Sequence, residues 1–161
     1  YGKRATGVIA WLDALARETG RNFMVRLVKG AYWDAEIKHA QVEGLEGFPV
    51  FTRKATTDLS YLVCARMLLA TEGRLYPQFA THNAHSVAAI MEMAGDRRDF
   101  EFQHLHGMGG LLYDVCVAAW NDFPRLRTYA PVGIHEDLLA YLVRRLLENG
   151  ANSSFVNLFL D

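Results

Sequence analysis

Apolar segments of two lengths alternate along this chain, and that alternation limits the folds open to it. The short segments have the length and composition of buried strands: Phe23–Val28, Gln78–Thr81, Phe100–Leu105 and Arg127–Val132. The long ones carry apolar residues at helical spacing, as Val8, Ile9, Trp11, Leu12, Leu15 and Ala16 do before Gly20. Further helices are expected over about 34–42 (capped by Asp34), 57–71 (opened by Thr57 and Asp58), 85–94, 111–121 and 136–149, the last closed by Gly150. Pro131 suits only the end of the fourth strand. Strand and helix taking turns imply βαβ units on a parallel sheet. Such sheets carry their chemistry at the carboxyl ends of the strands. Here all four ends bear polar or aromatic residues: Arg26 and Lys29, then Thr81, His82 and Asn83, then His104 and His106, then Tyr129. An open sheet has one dominant switch point, so four equipped ends favour a barrel rim. A full (β/α)8 barrel takes about 250 residues. At 161 residues the expected fold is α/β, strands 5–8 with their helices: the second half of a distorted (β/α)8 barrel, with two sheet edges exposed if it stood alone.

Composition narrows the function. The formal net charge is −1 and no basic run occurs, which argues against nucleic-acid binding by this segment. No apolar stretch approaches the length of a membrane span. The opening Tyr1-Gly2-Lys3-Arg4 lacks an initiator Met and a signal peptide, and reads as an internal piece of a longer protein. Cys64 and Cys116 fall in apolar helical patterns and read as buried free thiols in a reducing, cytoplasmic setting.

The histidines His82, His85, His104 and His106 raise the possibility of a metal-dependent barrel hydrolase, but the last strand offers no Asp or Glu to complete a ligand set, so no metal is expected. The run His106-Gly107-Met108-Gly109-Gly110 is neither a dinucleotide fingerprint nor a phosphate loop; its glycines suit a tight turn. Arg144 and Arg145 stand side by side in the helical run Tyr141–Leu147. Two adjacent guanidiniums are solvated, paired with carboxylates, or placed for an anion, which arginine grips with a planar fork. In Arg26–Asp34, a cation at a strand end, a glycine and two aromatics suit a flat anionic ligand, although Tyr32 and Trp33 serve equally as loop anchors. An α/β module with no active site is the non-enzymatic alternative.

Longer strings carry more. Met24–Asp34 (MVRLVKGAYWD), Pro49–Lys54, Thr57–Tyr61, Phe79–His85, Phe100–Gln103, Leu105–Met108, Tyr129–Gly133 and Tyr141–Asn157 together resemble the proline dehydrogenase domain of bacterial bifunctional proline-utilisation flavoproteins, over nearly the whole chain. The resemblance implies FAD at the carboxyl end of the barrel and oxidation of L-proline to pyrroline-5-carboxylate by hydride transfer to flavin N5. It implies that Arg144 and Arg145 clamp the proline carboxylate, and that Tyr32, Leu105, Tyr129 and Tyr141 wall its ring. Arg26 would stand by N5. Lys29, Gly30, Ala31 and Trp33 would hold the pyrophosphate and adenine, Thr81, His82 and Asn83 the ribityl or phosphates, and Gln103 the isoalloxazine. Glu148, Ser154 and Phe155 would contact or close over the cofactor. A quinone acceptor, peripheral membrane contact of the parent protein and a fused aldehyde dehydrogenase domain are implied as well. Residues 1–161 would then be the C-terminal part of one domain, inactive without the first half-barrel.

Overall fold

The computed structural model describes residues 1–152 and is α/β. Four strands, β1 (Phe23–Val28), β2 (Leu75–Ala80), β3 (Glu101–Leu105) and β4 (Arg125–Tyr129), form one sheet in the order β1-β2-β3-β4, every pairing parallel. Six helices accompany them: α1 (Ala5–Thr19), α2 (Trp33–Val42), α3 (Lys54–Leu69), α4 (Ala84–Ala94), α5 (Gly110–Ala119) and α6 (His135–Asn152). A parallel sheet in sequence order, with a helix or a helix pair after each strand, is the second half of a (β/α)8 barrel. β1 and β4 are its two edges.

Register divides the sheet into two faces. Phe79 pairs with Phe102, and Leu126 with Phe102 in turn. These rings and Phe100 pack on one another and on Tyr113 and Phe123 from the α5 region. Phe79, Phe100 and Phe102 are fully buried, each contributing about 1.5–3 kcal/mol by burial. This is the helix-facing side. The other face carries Arg26, Gln78, Glu101, Gln103, Arg127 and Tyr129 in paired positions. A strand that alternates in this way puts polar groups inside the barrel arc and apolar ones under the helices.

Element ends differ from the sequence expectation, most plainly in six elements. β2 begins at Leu75, not Gln78, and runs through Pro77, which is tolerated because β3 pairs with β2 only from Gln78 onward. β4 spans 125–129, not 127–132, so Pro131 lies beyond it. α2 begins at Trp33 with Tyr32 at the cap, which puts Asp34 in the first turn, where a carboxylate suits the helix dipole. α3 begins at Lys54, so Asp58 is internal, its carboxylate drawn to two lysines. α4 begins at Ala84, because the Asn83 side chain caps it by accepting from the Ser86 backbone N–H at 2.9 Å. α6 runs through Gly150 to Asn152, so Gly150 does not cap it. Gly20, by contrast, ends α1 in the left-handed conformation.

Candidate functional site

Parallel pairing brings all four carboxyl ends to one rim, and a cavity of about 1620 Å³ opens there. Arg26, Lys29, Gly30, Ala31, Tyr32, Thr81, His82, Asn83, Gln103, Tyr129, Tyr141 and Arg145 line it. A second cavity of about 980 Å³ shares Lys29, Gly30, Ala31, Lys54 and Asp58 with the first and adds Trp33 and Arg144. Most residues singled out in the sequence therefore meet in one place. Leu105 shares the face of Tyr129, but it is fully buried and does not line the cavity. Glu148 lies within α6; Ser154 and Phe155 lie outside the described residues.

Arginines and tyrosines are interleaved at the rim. The Tyr32 ring has the Arg144 guanidinium 5.0 Å and the Arg145 guanidinium 5.5 Å from its centroid. Arg145 also stands 4.5 Å from the Tyr141 ring, one helical turn before it. Deeper in, the Arg26 guanidinium lies 5.1 Å from the Tyr129 centroid while its Nε donates to Gln103 Oε1 at 2.9 Å. Each contact fixes a flexible cationic arm against a flat face.

Gln103 leads to a residue absent from the sequence expectation. Its Nε2 donates to Glu101 Oε1 at 2.7 Å. Glu101, with no exposed surface, also accepts from Gln78 Nε2 at 2.8 Å and from Arg127 through Nε at 2.8 Å and Nη2 at 2.9 Å. The Arg127 bonds hold the Glu101 carboxyl down at about 2 against the opposing effect of burial, with Gln103 and Gln78 assisting. One signal in the sequence marked this cluster: polar residues at every second position, Glu101 with Gln103 and Arg125 with Arg127, in strands otherwise read as buried.

At the other end of the cavity, Lys29 Nζ and Lys54 Nζ each donate to Asp58 at 2.6 Å. Burial raises the Asp58 carboxyl, but the two ammoniums outweigh it and hold it below the usual carboxylate range. One carboxylate between two ammoniums leaves this end net cationic. Gly30 has φ +103, a conformation that suits glycine and lets the backbone turn at the cavity wall. Trp33 Nε1 donates to the Phe51 carbonyl at 2.6 Å, so the indole anchors a loop while facing the second cavity.

The histidines tie strand ends together. His82 Nε2 accepts the Leu105 backbone N–H at 3.0 Å, and His104 engages the Met108 carbonyl and the Thr128 hydroxyl, each at 2.8 Å. Among the described residues no group of three or more His, Cys, Asp or Glu side chains gathers as a metal site would. Thr81 is held by Tyr113, whose buried Oη donates to the Thr81 carbonyl at 2.8 Å; burial drives the Tyr113 phenol well above its ordinary value.

Fold and site together define a class: a parallel α/β half-barrel with a large cavity at its carboxyl rim, cationic at both ends and walled by tyrosines. Ordinary small-molecule pockets run to about 300–1000 Å³, so this cavity suits a large anionic ligand with room for a small second one. Comparison with known proteins gives the family. The family model described as proline dehydrogenase matches residues 1–158, and the chain belongs to that family. The bifunctional protein PutA of Escherichia coli strain K12 is 58% identical over 167 residues, covering 100% of this chain. Hydroxyproline dehydrogenase of Homo sapiens is 32% identical over 143 residues, 83% of this chain and 30% of its own length. A solved proline utilization A structure from Bradyrhizobium japonicum matches with TM-score 0.88 and 65% identity, over 97% of this chain and 16% of that one. The corresponding protein from Bdellovibrio bacteriovorus, inactivated by N-propargylglycine, matches at TM-score 0.84 and 40% identity, over 92% of this chain and 16% of that one. The chain spans 13% of the length of the bifunctional relatives it matches.

Proposed function

We propose that the protein of which this chain is a part oxidises L-proline to pyrroline-5-carboxylate, with FAD as cofactor, and that residues 1–161 supply the second half of the catalytic barrel. The observation that carries this reading is the gathering of Arg144, Arg145, Tyr32, Tyr141, Arg26 and Tyr129 around one rim. Proline is a small apolar ring bearing one carboxylate. Arg144 and Arg145 offer the carboxylate its forks, and Tyr32, Tyr129 and Tyr141 offer the ring its walls. Leu105, fully buried, backs this wall.

The residues present fit a flavin. The cavity is too large for proline alone, and its Lys29–Gly30–Ala31 end is cationic, as a pyrophosphate requires. Trp33, which lines the second cavity, would meet the adenine. Thr81, His82, Asn83 and Gln103 line the stretch between; Glu148 would contact the adenosine end, and Ser154 and Phe155 would close over the cofactor. Arg26 would place a positive charge beside the ring system that gains electrons, which would favour the reduced form. Oxidation removes two electrons and two protons across the ring C–N bond, and the flavin supplies the electron acceptor that these side chains cannot. A quinone re-oxidant, a fused aldehyde dehydrogenase domain and a cytoplasmic location with peripheral membrane contact complete the proposal.

The test is spectral. The purified full-length protein should show flavin absorbance that bleaches when L-proline is added without oxygen. A colourless protein, or a flavin indifferent to L-proline, overturns the proposal.

A further inference from the structure

Between the barrel arc and the cavity runs a line of bonds from Arg127 through Glu101 and Gln103 to Arg26. A carboxylate only accepts hydrogen bonds, and a guanidinium only donates them. The Gln103 amide between them has one donating and one accepting end. With Glu101 at one side and Arg26 at the other, a single orientation satisfies both: Nε2 toward Glu101 at 2.7 Å, Oε1 toward Arg26 Nε at 2.9 Å. The reverse orientation sets an NH2 group against a guanidinium N–H and a carbonyl against a carboxylate.

We propose that Glu101 is a positioning residue for Arg26, acting through the Gln103 amide, in the flavin chemistry proposed above, on which this inference rests. Glu101 touches neither cavity, since it lines neither. Its influence is exerted by orientation. Arg127 and Gln78 hold the carboxylate in place, the carboxylate selects the amide orientation, and the amide oxygen holds Arg26 beside the Tyr129 ring. A neutral glutamine at position 101 has a donor of its own and no longer dictates which way Gln103 faces.

The experiment uses the full-length flavin-loaded enzyme and reads the flavin midpoint potential. Arg26 favours the reduced, more anionic flavin, so releasing it should weaken binding of reduced relative to oxidised flavin. Glu101→Gln is expected to lower that ratio about tenfold, or about 30 mV for a two-electron couple. Glu101→Asp, which still only accepts, should stay close to wild type. A Glu101→Gln potential equal to wild type, or equal shifts in Glu101→Gln and Glu101→Asp, overturns the proposal. A crystal structure of flavin-free Glu101→Gln gives an independent reading: Arg26 Nε should leave hydrogen-bond distance of Gln103 Oε1, and its retention there refutes the relay. Should Glu101→Gln fail to fold, Glu101→Gln combined with Arg127→Met removes both charges of the pair and carries the crystal readout, while the potential is left aside because Arg127 itself lines the cavity. A wild-type protein that holds no flavin defeats the functional reading instead, and the flavin-free crystal comparison still decides the role of Glu101.

Discussion

Tyr32 is the pivot of the proposed carboxylate clamp, and replacing it by leucine isolates what its ring contributes. The ring faces two guanidiniums, at 5.0 and 5.5 Å. A cation over an aromatic face is worth about 0.5–1 kcal/mol at an exposed site, and Tyr32 is 42% exposed, so the lower range applies to each contact. Two contacts give about 1–2 kcal/mol, which is about a 5- to 30-fold change in an equilibrium constant. Tyr32→Leu should therefore raise the KM for L-proline by up to that factor. Tyr32→Phe keeps the ring face and should stay within about threefold of wild type. The assay is steady-state proline oxidation by the full-length enzyme with a dye acceptor, alongside flavin content. Equal effects of leucine and phenylalanine would place the contribution in the hydroxyl and refute the stacking argument. Loss of flavin in Tyr32→Leu, with KM unchanged, would move Tyr32 from substrate to cofactor.

Three further outcomes follow from the geometry. The Glu101 carboxyl sits at about 2, below the ordinary 4.5, so its contribution is complete above about pH 4.5 and is lost as pH falls toward 2. That contribution is at most about 3 kcal/mol, and nearer 1–2 because the Arg127 side chain is 46% exposed. The stability gap between wild type and Glu101→Gln in denaturant titrations should close across that acidic range; a gap independent of pH contradicts the assignment. Tyr113→Phe deprives the buried Thr81 carbonyl of its 2.8 Å donor and should cost about 1–2 kcal/mol, seen as a lower Tm; an unchanged Tm would show that another donor takes its place. Gly109→Ala puts a Cβ at 2.9 Å from His82 Cδ2 at φ +72 and should cost about 1–3 kcal/mol; a neutral substitution would mean that His82 and the turn yield freely.

The fold was legible because alternation is a strong signal. Strand and helix order, the parallel sheet and the gathering of polar strand ends at one rim all follow from periodicity and connection rules. Boundaries were less so, for identifiable reasons. Asn83 caps α4 with its side chain, a local bond that moves the helix start by one residue. Pro77 argues against a strand until one knows that β3 pairs with β2 only beyond it. Within the site, Arg26, Tyr32, Arg144 and Arg145 could be singled out as charges and aromatics, but solvated arginines and loop-anchoring aromatics stayed open until the family resemblance gave them roles. Glu101 left only the weak mark of alternating polar positions, and that pattern does not say that Gln78, Gln103 and Arg127 converge on it from two neighbouring strands and its own. Leu105 is placed by the register on the face of Tyr129, and its full burial puts it behind the cavity wall, which periodicity alone does not reveal.

The central claim is that the paired arginines of α6 receive the carboxylate of proline. The direct measurement is the KM for L-proline of full-length Arg145→Met and Arg144→Met against wild type, with flavin content determined on the same samples. Losing a hydrogen bond to a charged group costs about 1.5–3 kcal/mol, so KM should rise about 10- to 100-fold while flavin content stays at the wild-type level. Parallel loss of flavin and proline binding, or a KM that does not move in either variant, would contradict the clamp.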